Sequence, residues 1–309
     1  MSIQFSKTQL GAVYALCAAF LFSSKAIFIK QAYALSSLVD GTLLMALRML
    51  SALPFFIAIA WIYRKQRNHV LSTKDWGMLV IAGLLGYYFA SWLDFQGLMY
   101  ISASLERIIL FLYPTLTVIA SSFIYKQKIT LKTIFAIVLS YGGTIMVMLH
   151  EQNGLAGQGN LWLGASLVFA SAVAFAGYLL LTPRLIKKFG SSNFTGLALT
   201  IACIGTLIHY AIATPDAFTV LTQLPMSVWL YGIALGIFVT VVPTILVIQS
   251  IARLGASQAA IIASIGPILT ILLAVAFLNE HLNAWQWLGC VLNIIGILMI
   301  SFSKNRLKH

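Results

Sequence analysis

Apolar residues fall along this chain in ten runs, beginning near residues 10, 41, 76, 105, 131, 161, 194, 227, 258 and 284, with polar residues gathered in the gaps between them. Each run is about 20 residues long, the length at which a helix crosses a hydrocarbon core of about 30 Å. The pattern predicts an all-α polytopic membrane protein with ten transmembrane helices. The gaps are short. His150 to Asn160 forms the longest stretch near the middle, Pro215 and Pro225 bracket another loop, and Arg64 to Asp75 forms a third. None of them is long enough to house a soluble domain, so any activity resides among the helices.

The ten runs are two copies of five. Displacing the chain by 153 residues lays Leu10-Gly11-Ala12 on Leu163-Gly164-Ala165, Phe22 on Phe175, Trp76 on Trp229, Gly83 on Gly236, Gln96 on Gln249, Ala103-Ser104 on Ala256-Ser257, Pro114 on Pro267 and Thr117 on Thr270, without a gap. An odd number of spans per copy makes the second copy enter the bilayer from the opposite side, so the expected fold is two inverted five-helix repeats. The first occupies residues 1–149 and the second 161–309 with its tail, joined by a periplasmic linker at 150–160. The first span has a full partner in the second repeat, which marks it as a permanent helix and not a signal peptide.

Composition agrees with that picture: 61% of residues are hydrophobic and 8% charged, with a net charge of +12. The charge is distributed by side. With the N-terminus cytoplasmic, Lys7, Arg64, Lys65, Arg67, Lys74, Lys126, Lys128, Lys132, Arg184, Lys187, Lys188, Arg253, Lys304, Arg306 and Lys308 all face inward, 15 of the 19 basic residues. The opposite loops carry Asp40, Glu151, Asp216 and Glu280. This is a topology signal and not a nucleic-acid surface, and it places both termini on the cytoplasmic side. Trp76, Trp162, Trp229 and Trp285 stand at span ends, the depth that suits their amphipathic rings. Cys17, Cys203 and Cys290 are isolated within spans, so neither a disulfide nor a metal site is expected, and no cofactor.

Six charges remain in or beside the spans: Lys25, Lys30, Arg48, Asp94, Glu106 and Arg107. All belong to the first repeat, and the shift places Tyr178, Ile201, Val247, Ala259 and Ala260 opposite Lys25, Arg48, Asp94, Glu106 and Arg107. A charge near the bilayer centre costs at least about 2.5 to 3.5 kcal/mol, which makes these residues candidates for function. From the helical rise, Lys25 lies about 7 Å, Arg48 about 10 Å and Asp94 about 5 Å inside the outer edge, where they neutralise one another or line a wet vestibule. Lys30, and over a longer distance Lys25, have stems that allow snorkelling. Arg48 is the deepest base, and its charge is fixed. Glu106 follows Ser104, which suits a serine cap and an acid in a first helical turn, and Arg107 can pair with it or with headgroups.

Asp94 shares a face with Gly83, Gly86, Ala90 and Gly97, a small-residue face that allows close helix packing, and so points into the bundle. It is the candidate for substrate binding or proton coupling, with an ion pair to Lys25 or Arg48 as the structural alternative. Tyr87, Trp92, Tyr113 and Tyr178 are candidates for the aromatic lining of a cavity, with packing as the alternative. Pro114 and Pro267 break the fourth and ninth spans at equal depth and serve either as hinges or as packing bends. His209 is read as a packing residue rather than a proton relay.

With "LERIILFLYPTLTVIASSF" in the fourth span and "ASIGPILTILLAVAFLNEHL" in the ninth, the chain resembles the drug/metabolite transporter superfamily, specifically its bacterial EamA-type members. The resemblance implies ten helices, an inner-membrane location, a cavity between the repeats and transport, often export, of small metabolites or drugs. The family often places an acid just after the proline-bearing helix; Glu280 stands there, and Gln127 replaces it in the first repeat.

The leading function is therefore a secondary carrier moving a small-molecule substrate, an amino acid, an organic acid or a drug-like compound, through the bilayer by alternating access, with protons as a candidate coupling ion. A channel or a non-transporting membrane sensor is the alternative. No G-x-x-x-x-G-K-[ST] loop is present to drive transport with ATP, and no H-E-x-x-H or paired nucleophile and base marks an enzyme. Ten helices enclose a pathway within one chain, so a monomer or a homodimer serves equally.

Overall fold

The computed structural model describes residues 7–67, 71–126, 129–151 and 160–306; Gln127, Lys128 and most of the expected linker lie outside them. Among the described residues there is no strand. Among the described residues nine helices are long and apolar enough to span a membrane: α1 (Lys7–Tyr33), α2 (Gly41–Ile62), α3 (Thr73–Leu98), α4 (Ala103–Ile124), α5 (Leu131–Leu149), α6 (Leu161–Phe189), α7 (Ser191–Ala213), α8 (Met226–Leu254) and α9 (Gln258–Leu278). A tenth, α10 (Ala284–Arg306), has an apolar stretch over Ala284–Ile300. A short helix, Ala217–Gln223, lies in the loop between α7 and α8.

The starts of these helices follow from local side chains. Asp40 accepts from the Leu43 amide at 2.7 Å, Ser102 from Leu105 at 3.1 Å, Thr130 from Thr133 at 3.3 Å and Asn160 from Leu163 at 3.2 Å, while Ser72 and Asp75 form a reciprocal box. Each satisfies an amide that the helix leaves free, which matters more where lipid supplies no partner. The cap of α4 is Ser102, not Ser104: the Ser104 hydroxyl is buried without a partner. Helix geometry needs the capping oxygen three residues before the amide it meets.

The two repeats agree in their irregularities as well as their lengths. In α4 the helix stops at Leu110 and restarts at Tyr113; in α9 it stops at Ala263 and restarts at Gly266, the same positions displaced by 153. Pro114 and Pro267 stand in the first turn after each break, where a missing amide costs nothing and the fixed φ suits a helix start. Both half-helices end on a left-handed residue, Lys126 and Asn279. A π-helical turn interrupts α3 at Leu84–Phe89 and α8 at Ile237–Val241, again in register. At Ser24 the copies differ: α1 breaks there, whereas α6 is continuous. The Ser23 hydroxyl donates to the carbonyls of Ala19 and of Gly266, and Ser24 to Leu21, so two adjacent side chains compete for the ladder that α6 keeps intact.

The repeats interdigitate and do not stand side by side. The principal pairings are α2 with α7, α5 with α10, α1 with α8 and α3 with α6, each joining one repeat to the other. Small residues permit these approaches. On α3, a side chain at Gly97 would meet Val168 and Gly164, one at Gly86 would meet Tyr178, and one at Gly83 would meet Ala198, so this face packs on α6 and α7. Ser171 crosses the same seam to donate to the Ala90 carbonyl at 2.7 Å. The α5–α10 crossing sets Gly143 against Gly289, beside Asn293, which donates to Ser140 and Thr144.

Candidate functional site

Between the repeats lies a cavity of about 530 Å³, lined by α1 to α4 of the first repeat and α6 to α9 of the second; α5 and α10 contribute nothing to it. Its walls follow the internal symmetry. Phe22 and Phe175, Tyr87 and Thr240, Ser91 and Thr244, Asp94 and Val247, Arg107 and Ala260, and Tyr113 and Gly266 are all repeat-related pairs, and both members of each pair reach the cavity. Because the repeats are inverted, partners lie at opposite depths. The charged members Asp94 and Arg107 therefore lie towards one end and their apolar partners Val247 and Ala260 towards the other. The charged end faces the loops bearing Asp40, Glu151, Asp216 and Glu280; the opposite end reaches Ser191 and Ile251, beside Lys187, Lys188 and Arg253.

Four of the intramembrane charges form one cluster. Lys25 turns inward and does not snorkel: its ammonium donates to Asp94 Oδ2 at 2.5 Å and to Glu106 Oε1 at 3.4 Å. Arg107 stands 3.8 Å from Glu106 and donates to the Phe22 carbonyl at 3.4 Å. Asp94 is 2% exposed and Glu106 fully buried, so each needs the cation beside it to offset desolvation. Lys25, Asp94 and Arg107 line the cavity, and Glu106 sits behind them. Lys25 is thus the partner of Asp94, and Arg48 is not.

Arg48 projects from α2 into the cavity wall at 8% exposure. Its Nε donates to Thr240 Oγ1 at 2.8 Å, and its guanidinium lies 5.3 Å from the Phe95 ring centroid. Thr240 in turn donates to the Leu235 carbonyl, five residues back, so the π-helical turn of α8 presents the threonine that orients the arginine. Arg48 makes no ion pair among the described residues, and its Nη1 is buried without a partner.

The aromatic candidates divide. Tyr87 and Tyr113 line the cavity, and Tyr178 stands behind Tyr87 with its hydroxyl 3.0 Å from Tyr87's. Trp92 is not in the lining: two residues from Asp94 on a helix, it points elsewhere, donating to Thr42 at 3.2 Å and packing edge-on against His209. His209 also meets Tyr88, in keeping with a packing role. Gly266 reaches the cavity while Pro114 and Pro267 do not.

The role of Glu280 and a second set of contributors were not anticipated. Glu280 accepts from the amides of Ala103 at 2.7 Å and Ser104 at 3.1 Å, clasping the first turn of α4 from the end of α9. Nearby, Glu151 accepts from Gln286, and burial raises its carboxyl above the ordinary range. The second is the lining set of Ser91, Thr240 and Thr244, uncharged residues that come together only because α3 and α8, repeat counterparts, both face the one cavity. The Phe22–Phe175 pair was visible in the repeat alignment, though not its exposure to the cavity.

A model described as the EamA-like transporter family matches residues 9–149 and 162–302. The chain is 30% identical over 281 residues to the uncharacterized transporter YcbK of Bacillus subtilis, spanning 91% of this chain and 89% of that protein. It is 25% identical to the uncharacterized transporter sll1319 of Synechocystis over 87% of this chain and 82% of that one. A crystal structure of 20% identity shares the fold with a TM-score of 0.62, over 97% of this chain and 99% of its own.

Proposed function

We propose that this chain, which belongs to the EamA-like transporter family, is a secondary carrier that exports a small metabolite across the bacterial inner membrane by alternating access. The observation that carries the reading is the cavity itself: it lies at the interface of two inverted repeats, inside the membrane, with an ion cluster towards one end and a reach of small and apolar residues to the other. A pathway of this form lies within one chain, so a monomer suffices and a homodimer is compatible.

The asymmetry of basic loops supports an orientation with the Arg64, Lys187 and Arg253 end in the cytoplasm, together with both termini. In that orientation the charged cluster and the Glu280 clasp lie at the periplasmic end, and the cavity extends towards the cytoplasm. Opening the other way requires the clasp on α4 to part while the halves of α4 and α9 move at their breaks, ahead of Pro114 and Pro267. Asp94 and Lys25 are the groups assigned to substrate binding or proton coupling, since protonating the carboxylate would free the ammonium that it holds.

Purified protein in liposomes loaded with a mixed metabolite extract tests the reading, with mass spectrometry of what leaves with and without a pH gradient. Selective, saturable loss of one compound class is expected. Unselective, non-saturating loss would indicate a channel, and no loss beyond protein-free liposomes would favour a sensor.

A further inference from the structure

The cavity holds one cation more than its carboxylates balance. Lys25 and Arg107 are matched in charge by Asp94 and Glu106, and the ion pairs of that set join these four side chains to one another. Arg48 is the remainder. No described carboxylate pairs with it. Leaving a guanidinium without a counter-ion is costly, yet the fold orients it: Thr240 fixes Nε, Phe95 takes one face, and one terminal nitrogen has no partner. The repeat counterpart of Arg48 is Ile201, so symmetry packing does not call for a base here.

We propose that Arg48 docks the single negative charge of the transported substrate, and that the substrate is a monocarboxylate with an apolar body. A carboxylate matches the planar fork of a guanidinium and cancels one charge; a phosphate monoester, close to a dianion at neutral pH, would leave an excess negative charge in the membrane. The body is accommodated by Phe22, Phe111, Phe175, Val247 and Ile248, with Ser91 and Thr244 as further hydrogen-bonding groups. A volume of about 530 Å³ suits a metabolite of this kind. The inference rests on the carrier reading and narrows its substrate class.

The test measures binding, separately from transport. Melting curves of the purified full chain in detergent are recorded with benzoate, 3-phenylpropanoate and 4-methylpentanoate, each beside its primary amide. At least one acid is expected to raise the melting temperature while its amide does not, and Arg48→Gln should weaken that acid by about tenfold or more, with Arg48→Lys between. If Arg48→Gln does not fold, Thr240→Val, which releases Nε, is the variant that must weaken the acid. Equal shifts with acid and amide, a shift that Arg48→Gln retains, or no shift with any acid overturns the proposal. The two readings fail separately: acid binding without flux from liposomes contradicts the carrier and leaves the site, whereas flux of neutral or cationic compounds that ignores Arg48→Gln contradicts the site and leaves the carrier.

Discussion

Removing the Asp94 carboxylate leaves the Lys25 ammonium facing a cavity with only Glu106 beside it, at 3.4 Å. Asp94→Asn is therefore expected to lower stability by about 3 kcal/mol and to flatten the pH dependence of transport, with Lys25→Met restoring part of the stability in the double variant. A wild-type pH profile in Asp94→Asn would remove it from proton coupling. Outside the spans, Glu151 offers a second titration. Its carboxyl is raised by burial, so the folded state prefers the protonated form: its contribution is intact at low pH and is lost as the pH climbs past 4.5 and through the raised value. Glu151→Gln should melt with wild type at pH about 4 and above it near neutrality, and equal melting curves at both would contradict the assignment. Charge in an apolar run was enough to single out Lys25, Arg48, Asp94, Glu106 and Arg107. Their pairing was not legible, because Lys25 meets Asp94 across 69 residues of sequence. Glu280 was found by the family pattern without its role, since its partners are amides 176 and 177 residues away.

Helix positions followed from length and hydropathy, but their interruptions had mixed visibility. The prolines announced the breaks in α4 and α9, yet the helices stop at Leu110 and Ala263, before the prolines, which begin the segments that follow. The break at Ser24 and the two π-helical turns carry no comparable signature: adjacent serines are common, and the extra residue in Leu84–Phe89 depends on what packs against it. Close packing between elements makes its own prediction. A side chain at Gly143 would press on Gly289 and lie 2.7 Å from the Asn293 amide, so Gly143→Val should force α5 and α10 apart and cost about 2 kcal/mol in detergent unfolding. Because neither helix lines the cavity, the binding of a substrate per folded molecule should be unchanged.

At the scale of the whole molecule, the 153-residue displacement revealed the two repeats but not their interleaving, for a repeat in sequence is silent about which faces meet. What the interleaving adds is a cavity whose two ends are related by symmetry and distinguished by charge. On the proposed alternating-access reading, closure at the Glu280 clasp and access from the basic end belong to one state, and an opposite state must exist. The direct measurement replaces Cys17, Cys203 and Cys290, places a single cysteine at Ser91 in the lining, and follows its reaction with a membrane-impermeant maleimide from either face of oriented vesicles. A second form adds cysteines at Ala103 and Glu280, joined beforehand by a thiol cross-linker across the clasp. Alternating access predicts labelling from both faces in the first form and from the basic face alone in the cross-linked form; labelling from the acidic face that survives the cross-link, or from neither face in either form, would contradict it.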